Sequence, residues 1–150
     1  MKAKLVDGGK KTYVLVFEKG DEVTAGLREF AQAQDIADST FTAIGAFSDV
    51  ILGYFDRERK DYTKIPVHEQ VEVLALLGNI TRGENGPKVH AHVVVGKADG
   101  TAHGGHILEA HVWPTLEVTV TESPTHLRRT RDPETGLPLI DLSAARDASL

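Results

Sequence analysis

Apolar and polar positions alternate with a period of two along most of this chain, and one stretch breaks into a helical period. Tyr13-Val14-Leu15-Val16-Phe17 is β-branched and aromatic, which predicts a strand. Gly20-Asp21 punctuates the chain, Asp21 is predicted to cap a helix, and Val23, Leu27, Phe30 and Ala31 recur at helical spacing to about Gln34. Everything after Thr40 predicts β-structure. Thr40 to Phe47 and Asp49 to Phe55 are strand-like, each holding a glycine (Gly45, Gly53) that signals a bulge or close packing. Asp61 to Val67 is a shorter strand. Glu69 to Leu77 alternates and then turns continuously apolar, as a strand covered on both faces would. Thr81 to Pro87 predicts a loop, and Val89 to Gly96, Thr101 to Val112 and Thr115 to Glu122 complete the strands. In the tail, Leu137-Pro138-Leu139-Ile140 is the segment suited to dock on the sheet. The expectation is one α+β domain over 1–150, with one principal α-helix and a mostly antiparallel β-sheet, a core over about 10–122 and a tail over 123–150.

Composition narrows the function classes. An apolar share of 41% and a charged share of 26% fit a globular domain. Seventeen Lys and Arg against 22 Asp and Glu leave a net charge of −5, which argues against tight nucleic-acid binding. The one basic run, Arg128-Arg129-Thr130-Arg131, is followed by Asp132 and Glu134 and reads as solvated surface. The absence of cysteine excludes disulfides, thiolate nucleophiles and cysteine-ligated zinc, and it suits a cytoplasmic protein. The first residues carry no apolar run of secretory type, and no stretch approaches the roughly 18 apolar residues that span a bilayer, so no membrane partner is expected. Neither a phosphate-binding Gly-Lys-Ser/Thr loop nor a Gly-x-Ser-x-Gly elbow occurs.

The candidate chemistry is histidine. His90 and His92 lie two apart on a predicted strand and share a face, while Val89, Ala91, Val93 and Val95 take the other, the natural core face. Two such imidazoles can converge on one metal ion, and a third from a neighbouring strand would complete a three-histidine site with an open position. Whether His106 supplies it depends on the hairpin. A two-residue Asp99-Gly100 turn puts Ile107 opposite His92 and Glu109 opposite His90. A three-residue Ala98-Asp99-Gly100 loop puts His106 opposite His92 and Gly104 opposite Val94, and both turns suit the residues. His103 and His111 are substitute ligands; His68 and His126 look incidental. Gly104-Gly105 reads first as a bulge and second as room for a ligand or another backbone to approach. Glu72 and Glu117 project from strands, as arginine partners at an interface or as support for a histidine or general base. Glu72 or Glu109 could fill the fourth metal position. Binding that needs neutral imidazoles should weaken as pH falls through about 6.5.

An ordered set of segments resembles one known family. Ile44-Gly45-Ala46-Phe47, Leu52-Gly53-Tyr54-Phe55-Asp56 and Tyr62 are similar to its early strands, and Glu72 through Ile80 to its central strand and turn. His90-Ala91-His92 and Gly104-Gly105-His106 match its two histidine motifs, Leu116-Glu117-Val118 a late strand, and Glu134-Thr135-Gly136-Leu137 the ending of many prokaryotic members. This is the plants-and-prokaryotes-conserved (PPC) domain family. The resemblance implies a mixed, mostly antiparallel sheet with one principal helix, assembled as a homotrimer. Its plant members attach an AT-hook and regulate through DNA; no Arg-Gly-Arg-Pro-type hook stands here. Three functions follow as expectations. The first is a homotrimeric binding or regulatory module with a histidine-lined site (His90, His92, His106, with Gly104, Gly105 and Glu72 about the ligand) for zinc, another divalent metal or a small molecule. The alternatives are a DNA-binding regulator and a metal-dependent, hydrolase-like enzyme.

Overall fold

The computed structural model describes residues 1–7, 11–83, 85–123 and 128–141. These form nine strands and one helix: β1 (Lys2–Asp7), β2 (Thr12–Glu18), α1 (Val23–Ala33), β3 (Asp38–Asp56), β4 (Asp61–Val67), β5 (Val71–Gly83), β6 (Gly86–Gly96), β7 (Ala102–Glu122), β8 (Arg128–Arg131) and β9 (Pro138–Asp141). The fold is the expected α+β arrangement. Every strand pairing is antiparallel except that of β8 with β5, at Arg128 and Arg82.

The helix forms where the apolar period lies, burying Val23, Leu27, Phe30 and Ala31. Its cap is Glu22, not Asp21. The Glu22 carboxylate accepts the Thr24 and Ala25 N–H groups at 3.1 and 2.6 Å. Asp21 is already engaged, accepting the Glu18 N–H at 2.9 Å and pairing with the terminal amine at 3.1 Å.

Two predicted breaks are absent. β3 runs through the expected gap at Ser48 because register shifts near Gly45, Phe47 and Asp49 absorb the irregularity, and β7 likewise joins the two late strands. The loop expected over 81–87 shrinks, since Thr81 pairs with Lys88 and Gly83 with Gly86. β1, whose lysines hide the alternation, pairs with β2 (Lys2 with Val16 through Asp7 with Thr12). The Leu137–Ile140 segment docks as β9 against β8 (Arg129 with Ile140).

β3 and β6 each pair with both β5 and β7, so these four strands close a circuit. One contiguous core unites the buried helix face with Leu15 and Phe17 of β2, Val93 and Val95 of β6, and Leu116 and Val118 of β7. Full burial of each large apolar side chain contributes about 1.5–3 kcal/mol. No helix of the described residues is long and apolar enough to cross a membrane.

Candidate metal centre

The β6–β7 hairpin decides the register left open by sequence. The Lys97 and Thr101 backbones pair (N–H to O 2.9 Å), and Gly100 donates to the Lys97 carbonyl at 2.9 Å. Asp99 accepts the Thr101 N–H at 2.9 Å, and Gly100 takes φ +82°, a left-handed value that glycine adopts without strain. This is the three-residue loop. It sets His92 opposite His106 and Val94 opposite Gly104.

Because Ala91, Val93 and Val95 are buried, the alternate positions His90 and His92 face outward. Their rings and that of His106 form a triangle with centroid separations of 5.3, 5.3 and 5.4 Å. One nitrogen from each lies within 4.8 Å of the others. Nitrogens about 2.1 Å from one tetrahedral ion stand roughly 3.4 Å apart, a gap that small ring rotations close.

The surroundings tune these rings. Tyr62 of β4 stacks on His106 at 4.8 Å. It reaches across Gly53, where a Cβ would stand 2.8 Å from the Tyr62 ring; here the glycine serves close packing. Burial, then the nearby His90, His92 and Lys88, pushes His106 down to about 4. Burial, then Arg129, His92 and Lys88, holds His90 below the ordinary histidine value. Both are therefore neutral at neutral pH, the state a metal ligand requires, and both keep that state below the 6.5 expected from sequence. Nδ1 of His106 is buried without a hydrogen-bond partner. A buried polar atom left so costs stability, and an imidazole lone pair suits a metal ion. The donor set fits zinc or a similar divalent ion.

Arg129 is the site residue that sequence reasoning missed, since it lies in the run read as solvated. It is only 9% exposed. Its Nε donates to Thr81 Oγ1 at 2.8 Å, Nη1 to the Pro138 carbonyl at 2.7 Å, and Nη2 to Asn79 Oδ1 at 2.8 Å. Nη2 also stands 3.4 Å from His90 Nδ1. The basic run was the only signal, and nothing in its composition separates a buried arginine from an exposed one.

Other candidates lie elsewhere. His103, opposite Val95, is out of phase with His106 and takes the other face. His111 pairs with Asp49 (Nδ1 to Oδ1 2.8 Å) and has Glu109 3.9 Å from its Nε2, so neither joins the trio. His68 lies near enough to influence Asp49; His126 is outside the described residues. Glu72 is exposed opposite Gly96, at the far end of the hairpin from His90, and Glu117 is exposed opposite Val16 and Ile44. Gly104-Gly105 is no bulge: both residues keep register with Val94 and Val93, and the nearest β7 bulge lies at Leu108, between the pairs Ile51–Glu109 and Leu52–Ile107. What the glycines permit is close approach, a Cβ at Gly105 falling 3.0 Å from the Gly53 carbonyl. Gly104 stands exposed on the histidine face. Among the described residues, none of the three rings contacts a carboxylate.

Comparison with known proteins gives the lineage. A Pyrococcus horikoshii plant- and prokaryote-conserved protein superposes with a TM-score of 0.83 at 28% identity, covering 93% of this chain and 94% of that one. A metal-containing protein from Archaeoglobus fulgidus gives 0.81 at 34% identity, over 93% and 99%. A Ralstonia eutropha protein with a provisional DNA-binding designation gives 0.84 at 31%, over 93% and 96%. Among curated sequences, the Bifunctional protein GlmU of a Synechococcus species is 28% identical over 97% of this chain. The chain spans about a fifth (22%) of that relative's length. The model of the Plants and Prokaryotes Conserved (PCC) domain matches residues 5–124. With most of its length matched, the chain belongs to the Plants and Prokaryotes Conserved domain family.

Proposed function

We propose that this chain is a homotrimeric binding or regulatory module whose histidine face holds a divalent metal, zinc by preference. The observation that carries the reading is the convergence of His90, His92 and His106, with the His106 Nδ1 buried and unpartnered. A 34%-identical relative being a metal-containing protein supports it. The three imidazoles would hold the ion, and the ion would offer an open position that anchors a polar or anionic ligand. Gly104, on the same face, leaves space for that ligand. Binding, not hydrolysis, is the assigned role, because no described carboxylate stands beside the rings as a base. A DNA-binding role, suggested by the Ralstonia relative's designation, is disfavoured by the net charge of −5.

Assembly rests on a separate feature. Ile44, Leu74, Leu77 and Val94 are 62%, 56%, 57% and 41% exposed, an apolar face on the sheet that a second copy would cover.

Elemental analysis of protein purified without an affinity tag tests the metal. The expected content is about one equivalent per chain in the wild type and none in His92→Ala, with the metal-free forms of the two differing in stability by no more than about 0.5 kcal/mol, since His92 lies off the core. A metal-free wild type, or equal content in the variant, refutes the assignment.

A further inference from the structure

Beside the histidine face, residues of α1, β6 and β8 line an open cavity of about 640 Å³. Arg28, Lys88, Arg129 and Arg131 line it together with neutral residues such as Asn85 and Gly136, and none of the described lining residues is acidic. In a chain of net charge −5 this is a local inversion of sign. The described ion pairs of the molecule leave all four cations out: Lys11, Arg59, Arg82 and Lys97 take the carboxylates. Asp132, which follows the basic run, is engaged in its own turn, accepting the Thr135 N–H and hydroxyl at 2.7 Å each.

Arg129 is the second, independent observation. It is nine-tenths buried, and its partners among the described residues (Thr81, Pro138, Asn79 and His90) are neutral. Its geometry is satisfied, while no carboxylate among the described residues pairs with its charge. A buried cation without an anion carries a desolvation cost that a counter-ion relieves. Four of its five N–H groups are occupied by those contacts, so it acts chiefly as a fixed positive charge at the cavity wall. Lys88 and Arg131 are exposed and free to close on a ligand.

We infer that this cavity binds a small organic molecule carrying at least two negative charges, a phosphomonoester or a dicarboxylate. Its volume falls in the range of small-molecule sites, about 300–1,000 Å³, and exceeds what one inorganic anion fills. Guanidinium groups recognise both anions by charge-assisted hydrogen bonds. A nucleic-acid backbone would ask instead for an extended basic face. The inference does not depend on the metal.

Isothermal titration of the protein as purified, at fixed ionic strength, with inorganic phosphate, glycerol 3-phosphate and succinate tests it. Saturable binding is expected, weakened about tenfold or more in Lys88→Gln/Arg131→Gln, whose two positions are exposed and outside the core. Preference for glycerol 3-phosphate over succinate would assign the phosphate class, the reverse the dicarboxylate class. Binding should persist in His92→Ala; its loss there would place the anion on the metal and overturn the inference. No saturation, or equal binding by the double variant, would overturn it as well. A short duplex that binds more tightly than glycerol 3-phosphate, through the same two residues, would replace the small molecule with nucleic acid.

Discussion

Asp49 and His111 face one another across β3 and β7 at 2.8 Å, and each changes the other's titration. The hydrogen bond that His111 donates to Asp49, helped by the charges of Asp49, Glu109 and Glu22, outweighs burial and raises His111 above 6.5. For Asp49, burial works upward, but the hydrogen bonds from His111 and Ser48 and the charges of His111 and His68 prevail and hold it below 3.8. The raised histidine stabilises the fold fully below pH 6.5, and that contribution is lost as pH rises through its folded value. The depressed carboxylate contributes above pH 3.8, and its share is lost as pH falls through its own folded value. The pair therefore helps most between the two. Both side chains are more than a third exposed, so the effect on stability is small and the titration is the better measurement. In a proton NMR titration His111 should have a midpoint above 6.5 in the wild type and a lower one in Asp49→Asn; an unchanged midpoint would remove the ion pair from the account. At this scale the shared face of His90 and His92 was legible from spacing, because a period of two fixes which side chains share a face, while the place of His106 waited on the hairpin register. Arg129 was not, because its burial depends on Thr81, Asn79 and Pro138, which only the tertiary fold brings to it.

At the scale of elements, the hairpin positions His92 and His106, while β3 and β4 position the ring that supports His106. Gly53 is the hinge of that second arrangement. A methyl group there would stand 2.8 Å from Tyr62 and 3.1 Å from Leu108, so one of them must move. Gly53→Ala is expected to cost about 1–3 kcal/mol by overpacking. It should also change the ring-current shift of His106 as Tyr62 leaves its stack, which two-dimensional NMR reads directly. Retention of both stability and shift would show that Tyr62 packs without need of the glycine. Turn chemistry allowed two hairpin registers, and both used Asp99-Gly100. The choice between them is made by pairing along the strands: β7 also bonds to β3, with Gly53 opposite His106. Strand continuity was obscured for a related reason, since β3 and β7 absorb their irregularities as bulges that look like chain breaks in sequence.

For the whole molecule, one helix covers one side of the sheet and leaves large apolar side chains on the other. Leu77 is paired with His92, so the apolar face borders the histidine face. Light scattering is expected to give three times the chain mass of 16.3 kDa. Replacing Leu77 and Val94 with lysine should shift the particle towards a single chain, because charge at a covered apolar face is expensive to desolvate. A wild-type monomer would rule the trimer out, and a double variant that stays trimeric would move the interface elsewhere. The closed circuit of β3, β5, β6 and β7 has a further consequence, for the order in which structure can form. Its closure joins Ser39 to Glu122, a distant pairing whose loop entropy slows folding, whereas His90, His92 and His106 belong to one hairpin. The three imidazoles can thus meet by local chain closure before the sheet is sealed, so an ion bound by them would staple an early hairpin as well as the finished fold.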